Sequence, residues 1–594
     1  MDIPSALLSA RRVLDGIQEY TLLNDLRWEP IQKKWYLKFS ITIEEAIKID
    51  KVTYWVVTLD SIYPKGCIDV FSDAKKGICN TYPHQSNNGL VAENGIWKSG
   101  KLCLDEPKFS TVPNLQNNEF KLEWFILRTV QWIEKANHSE LLYNGDWFEL
   151  PQYNITLPMT IAYDEDEVSS MIWESHDATY GYVHLKKIND NAVYSVILYQ
   201  DLARHTVYQP IWGDYISKTK SEPSYVTGVW VLMNQLLVIN NWQAPNTFGE
   251  LKIAFQNQNM NLVEILVQLF PKLRDGERHF LLLGFPIPYK IGEKPSIISW
   301  KALLLPRLSN GKRYAKGFRN NELGWLKKDF DEILINKILL DWVTTDNWNA
   351  NNILSRGKYN SSITRKKYLV IGAGTLSAFM CEQLVRNGVE NITIVDSDRF
   401  HAGNLSRHLL NIQDISKYKA TALSDRLNLI NPHARIKAIN DEVKLDNNYI
   451  FNLKDVIIDC SANDEVLKIV SELSFKSKVM FFSVSFGYKA EQLYIAAQQA
   501  ETFSYETFTD IFGDVIQEDI KKCRLEDMPW EGIGCWSPVF PAKTSDVMLA
   551  AATATEIITH FLRKGETTNK NFIYKKEYDE DGFLIGYRQI NHEI

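Results

Sequence analysis

The feature that most constrains this chain is the regular alternation that begins at Lys366. Residues 368–371, YLVI, make an apolar run of strand length. Gly372-Ala373-Gly374-Thr375-Leu376-Ser377 turns out of it into a helical pattern over 377–387, closed by Gly388 where a helix end favours glycine. Further strand-like runs follow at 391–396, 435–439, 455–459 and 479–484, with a helical stretch at 420–429 between the second and third. Strands separated by helices cannot close as hairpins. They pair in parallel and need helices over both faces, so 356–594 is expected to be an α/β doubly wound, Rossmann-like domain. A helix over 545–563 and a hairpin turning at Asp581-Gly582 are expected to end it. In such a fold a glycine loop lets backbone N–H groups approach a phosphate at a helix N-terminus. Asp396, 22 residues after Gly374, ends the second strand, where an acid accepts ribose hydroxyls.

The next stretch separates hydride chemistry from phosphate chemistry. VDSDRFHAGNLSRHLL and ISKYKATALSDRLNLINP supply Asp396, Asp398, Asn404, Arg407 and Lys419 within 24 residues. Hydride transfer needs no such set. Attack of a carboxylate on an α-phosphate needs cations for the developing charge and an acid for a metal ion.

These residues resemble a known family. GAGTLS, VDSDRF with GNLSRH, Lys419-Ala420 and LNLINP are similar to the ThiF-type adenylyltransferases that activate ubiquitin and sulfur carriers, over about 366–500. The resemblance implies that Gly372 and Gly374 lie against ATP and that Asp396 holds the ribose, with Asp398 in the same set. Asn404, Arg407 and Lys419 are then expected to reach the phosphates. Ser377 stands where the family's last glycine falls, and His408 where glutamine is usual. The family's metal-binding acid lies in an Asp-Asn pair, whereas this chain reads Asp459-Cys460-Ser461-Ala462-Asn463-Asp464. Asp464 is therefore the expected Mg²⁺ ligand.

Seven cysteines stand at 67, 79, 103, 381, 460, 523 and 535, an odd number without a Cys-x-x-Cys pair. That weighs against a disulfide framework and a cysteine-ligated zinc site, and favours reduced thiols in a cytoplasmic setting. Cys535 lies in EGIGCWSPVFP after a stretch of poor periodicity (500–530). Glycines before it and prolines after it make an exposed loop, the position of the catalytic cysteine in the resembled family. Cys523, in IKKCRLED, competes for that role through its basic neighbours but sits in a helical charged run. Cys103 lies late in a long irregular stretch, 80–107, in Gly100-Lys101-Leu102-Cys103-Leu104-Asp105. Strand-like runs at 35–41, 51–59 and 66–71 precede it, and a helical pattern over 121–135 follows. This layout resembles ubiquitin-conjugating enzymes, and 1–150 is expected to be an α+β domain of that kind with Cys103 as its acyl carrier. The family's His-Pro-Asn is replaced by Tyr82-Pro83-His84-Gln85-Ser86-Asn87-Asn88, which leaves open the amide that supports an oxyanion. Cys67, Cys79, Cys381 and Cys460 are expected to be packing residues.

Between the two ends, 151–355 reads as a mixed α+β linking domain. Paired strands are expected at 180–186 and 192–199, further strands at 279–285 and 296–304, and helices at 225–239, 262–270 and 332–342, with a polar linker at 344–365. Three domains suit 594 residues. The net charge of −7 weighs against nucleic acid, and no stretch of eighteen apolar residues suggests a membrane span. Both ends together resemble the bacterial fused activating–conjugating enzymes of anti-phage cyclic-oligonucleotide signalling (CBASS) operons. That resemblance implies a homodimer, a partner protein with a free C-terminal carboxylate (a cyclic-oligonucleotide synthase) and a target amine. The rival readings are a sulfur-carrier adenylyltransferase and a nucleotide-binding scaffold without ligation activity.

Overall fold

A computed structural model describes residues 3–104, 120–218, 225–312, 317–522, 541–565 and 569–590. Contacts divide the chain into two compact units, 1–210 with 223–347, and 211–222 with 348–594.

The first unit holds two sheets. An antiparallel meander runs Tyr20–Glu29, Lys34–Thr42, Val52–Asp60, Ile68–Asp73 and Trp97–Lys101 in spatial order. The helices Ser5–Val13 and Lys121–His138 bury Leu7, Ile126, Ile133 and Trp132 with Trp35, Phe39 and Trp55 of the meander. Trp55 and Trp132 meet edge to face at 6.0 Å. The strand Trp97–Lys101 lies inside the stretch expected to be irregular, because its Lys-Ser-Gly-Lys run carries no apolar alternation.

The second sheet has the order Ile155–Tyr163, Trp342–Asn347, Ile297–Leu304, Phe280–Ile287, Tyr225–Leu232, Tyr180–Lys187, Val193–Gln200 and Thr206–Tyr208. Ile155–Tyr163 also pairs with Val193–Gln200, so the sheet closes on itself. Trp173, Tyr199, Trp230 and Trp300 pack together there around the Glu165 carboxylate. Glu165 accepts from the indole N–H of Trp173 and of Trp300, each at 2.9 Å, and burial pushes its pKa up to about 8.

Neither the helix expected at 225–239 nor the one expected at 332–342 forms. Residues 225–232 run parallel to Phe280–Ile287 and antiparallel to Tyr180–Lys187, and a strand flanked on both edges and covered on both faces shows no alternation. Of 332–342, only the start belongs to a π-turn, Asp329–Ile333, and Trp342 opens a strand whose last residues, 344–347, were expected to be linker.

The second unit's sheet runs Arg435–Ile439, Asn391–Val395, Lys367–Ile371, Val456–Asp459, Val479–Phe486, Gln492–Ala500, Lys570–Tyr578 and Leu584–Ile590. The first five are parallel and the last three antiparallel, which bears out the Rossmann-like expectation. Helices Thr375–Arg386 and Thr544–Lys564 share one core with the sheet. Asp464–Ser471 and Tyr505–Lys521 contribute to the other. The latter helix occupies most of the stretch read as aperiodic. The chain steps outward in both directions from the central strand Lys367–Ile371, so the crevice beyond its C-terminal end is the topological switch point, where such folds bind ligands.

Candidate functional site

The glycine loop sits at that switch point. Gly372 has φ +87°, and a Cβ there would stand 3.1 Å from the Ser461 nitrogen. Gly374 precedes the first turn of Thr375–Arg386, and a Cβ on it would meet no protein atom, so its missing side chain leaves room for a ligand. Ser377 is fully buried and its Oγ donates to the Gly374 carbonyl at 3.1 Å, which accommodates it where glycine was expected.

Asp396 braces the loop. Its Oδ2 accepts the Ala373 N–H at 2.6 Å and its Oδ1 the Asp398 N–H at 2.7 Å, while burial raises its carboxyl pKa. Asp398 is exposed and pairs with Lys419 Nζ at 2.9 Å, and the Lys419 N–H donates to its carbonyl at 2.8 Å. Gly372, Gly374, Asp396, Asp398 and Lys419 thus line one cleft of about 670 Å³.

The remaining expected residues are placed differently. Arg407 lines a second cleft of about 460 Å³ with Lys489, Lys543, Lys576, Glu491 and Asp546. Asn404 lines neither cleft, and its Oδ1 accepts the His401 N–H at 3.1 Å. Asp464 is exposed and opens the helix Asp464–Ser471, while its neighbours Asn463 and Glu465 line the first cleft. Sequence reasoning missed Asp441, Glu442, Lys444 and Glu465 in that lining. Their positions after the third and fourth strands, at the sheet's C-terminal edge, were the available signal.

Cys103 is exposed beside a small cleft shared with His84, Arg128, Gln131, Trp132 and Lys135. The sheet and helix hold it in place. The Leu102 N–H donates to Val70 O at 2.9 Å, the Cys103 N–H to His84 O at 2.8 Å, and Leu104 is buried in the core. His84 has φ +56°, and its ring lies between the Leu141 carbonyl (3.1 Å) and Glu149 (3.0 Å). Cys67 and Cys79, expected to be packing residues, are exposed, whereas Cys381 is buried and Cys460 packs against the same core. Cys523, Cys535 and Asp105 lie outside the described residues.

The comparisons with known proteins now decide the family. The chain is 31% identical over 556 residues to the ATP-dependent ubiquitin transferase-like protein Cap2 of Enterobacter hormaechei, covering 89% of each. The chain belongs to the Cap2 family. Residues 139–348 match the family model of the Cap2 central linker domain, and 349–585 match the ThiF family. The chain is also 27% identical to a probable molybdopterin-synthase adenylyltransferase of Gracilaria tenuistipitata, over 27% of this chain and 44% of that one. Among solved structures, E. coli MccB with AMPCPP and MccA overlaps at 14% identity with a TM-score of 0.29, over 41% of this chain and 68% of that one. Among the described residues of this Cap2-family chain, no helix is long and apolar enough to cross a membrane.

Proposed function

We propose that the chain uses ATP to adenylate the C-terminal carboxylate of a partner protein, takes the acyl group onto Cys535 as a thioester, passes it to Cys103 and delivers it to a target amine. The observation that carries this reading is one chain holding both a glycine-loop cleft braced by Asp396 and an exposed thiol fixed beside its own cleft. In this reading the backbone at Gly372 and Gly374 accepts the phosphates, Asp396 the ribose, and Lys419 exchanges Asp398 for phosphate oxygen. The Arg407 cleft, with four cations against two acids among its lining side chains, receives the partner's carboxylate tail.

Mg²⁺ in nucleotide sites takes one or two carboxylates together with phosphate oxygens and water. Among the described residues no group of three or more metal-ligating side chains forms. In our reading the metal role expected of Asp464 passes to Glu465, which lines the cleft. The ion would neutralise charge on the leaving pyrophosphate.

At the first thiol the carbon–oxygen bond of the mixed anhydride breaks and AMP leaves. At Cys103 a thioester exchange follows, and the target amine then forms an amide while the thiolate recovers a proton. We infer that the partner is a cyclic-oligonucleotide synthase and that the working unit is a homodimer, which sedimentation would test. The test of the pathway is incubation with ATP and the partner, read by mass and by non-reducing gel. Cys103→Ala should keep ATP–pyrophosphate exchange and the Cys535 adduct but lose the amide product. Amide formation at the normal rate by that variant would refute the relay. Arg407→Ala and Lys419→Ala should each abolish exchange.

A further inference from the structure

His408 follows Arg407 but turns inward. It is 8% exposed, and the Phe400 ring meets it edge-on at 5.2 Å. The Leu410 N–H donates to its Nδ1 at 3.1 Å, so Nδ1 carries a lone pair and the ring proton resides on Nε2. Nε2 stands 3.0 Å from the Ala373 carbonyl and donates to it. Ala373 is the middle residue of the glycine loop, fully buried, and its own N–H donates to Asp396. The loop is therefore held at both peptides of Ala373, by Asp396 on its N–H and by His408 on its carbonyl.

We propose that His408, as the neutral Nε2–H tautomer, is the positioning residue that keeps the glycine loop in its nucleotide-binding shape, and that proton uptake on Nδ1 releases the loop in acid. This rests on the reading of the cleft as an ATP site. A proton on Nδ1 would face the Leu410 N–H, turning a hydrogen bond into a clash of two donors.

The surroundings set the sense of the response. Burial lowers the histidine pKa most, Lys419 and Arg407 lower it further, and the bond to Ala373 and the charge of Asp414 oppose them. A base whose folded pKa is depressed stays neutral below the usual histidine range. ATP affinity is then full at neutral pH and falls as pH drops through the lowered pKa. Asp396 also loses charge in acid, and burial moves that loss upward from the usual carboxylate range. A variant must separate the two. Glutamine does so, since its amide offers one donor group and one acceptor and does not titrate.

The experiment measures ATP affinity of the full chain by calorimetry from pH 7.5 downward, without partner protein. For the wild type the Kd should rise about tenfold per pH unit below the His408 midpoint. In His408→Gln that limb should vanish, leaving only the limb from Asp396. Superimposable profiles for the two proteins would overturn the inference, as would unaltered ATP affinity at pH 7.5 in a folded His408→Ala variant. A ring ¹⁵N spectrum gives a readout independent of binding: the His408 resonances should be those of the Nε2–H tautomer at neutral pH, and the opposite tautomer would overturn the proposal. Failure of the wild type to bind ATP at pH 7.5 would instead overturn the reading of the cleft, and this inference with it.

Discussion

Among the described cysteines, surroundings separate chemistry from packing. Burial pushes the Cys381 thiol up to about 12 and holds Cys460 well above its ordinary range, so neither supplies thiolate near neutral pH. Cys103 has exposure and a cleft, and the open question there was the amide. Asn87 spends its side chain on the Ala244 carbonyl and the Gly89 N–H, and Asn88 spends its own on Ile78, Asn80 and Ser72. Gln85 is 2% exposed and bonds Tyr82 and Gly100. Gln131 lines the Cys103 cleft instead, and Arg128 Nη1 donates to its Oε1 at 3.0 Å. That bond fixes the carbonyl end of the amide toward Arg128 and turns the –NH₂ end away from it. In the relay proposed above, Gln131 is the amide expected to support an oxyanion, since it lines the Cys103 cleft. Gln131→Ala should form the Cys103 thioester at the normal rate and discharge it to an amine about 10²-fold more slowly, in single-turnover assays. Equal discharge rates would remove the assignment.

At the scale of elements, two glycines two residues apart should behave oppositely. Gly372 combines positive φ with a close approach to the 459–461 turn, so Gly372→Ala should cost about 1–3 kcal/mol of stability, read as a lowered Tm. Gly374 has φ −78° and open space where a Cβ would stand, so Gly374→Ala should leave Tm unchanged and weaken ATP binding about tenfold by filling the cradle. A lowered Tm in Gly374→Ala would show that the loop is built for the fold alone. Such loops were legible in the sequence because glycine spacing and strand–helix alternation are local signals. The middle sheet was legible in part: strands form where expected at Tyr180–Lys187, Val193–Gln200, Phe280–Ile287 and Ile297–Leu304, but Tyr225–Leu232 was expected to be a helix. Val229, Trp230 and Val231 are fully buried within a closed sheet, so their run carries no period that distinguishes strand from helix. The site was legible in part for a similar reason. Gly372, Asp396 and Lys419 belong to a compact run, whereas Gln131 enters its cleft through chain folding that no spacing announces.

At the scale of the molecule, the chain passes between its two units three times. It leaves the first at 210, gives 211–222 to the second, returns at 223 and leaves finally at 347. The donated segment is anchored at Gly213, whose N–H donates to the Pro432 carbonyl at 2.7 Å, and at Asp214, whose N–H donates to Ala434 O at 2.8 Å. Trp212 stacks on His433 at 5.4 Å. A Cβ on Gly213 would come within 2.3 Å of the Ala434 carbonyl oxygen, so any larger residue must dislodge the segment. Gly213→Val should therefore cost about 1–3 kcal/mol of stability through overpacking against the 432–434 backbone, read as a lowered Tm. Limited proteolysis within 211–218 reports whether the segment has come loose. A variant that keeps the wild-type Tm and resists cleavage there would show that the 432–434 backbone yields to the larger side chain.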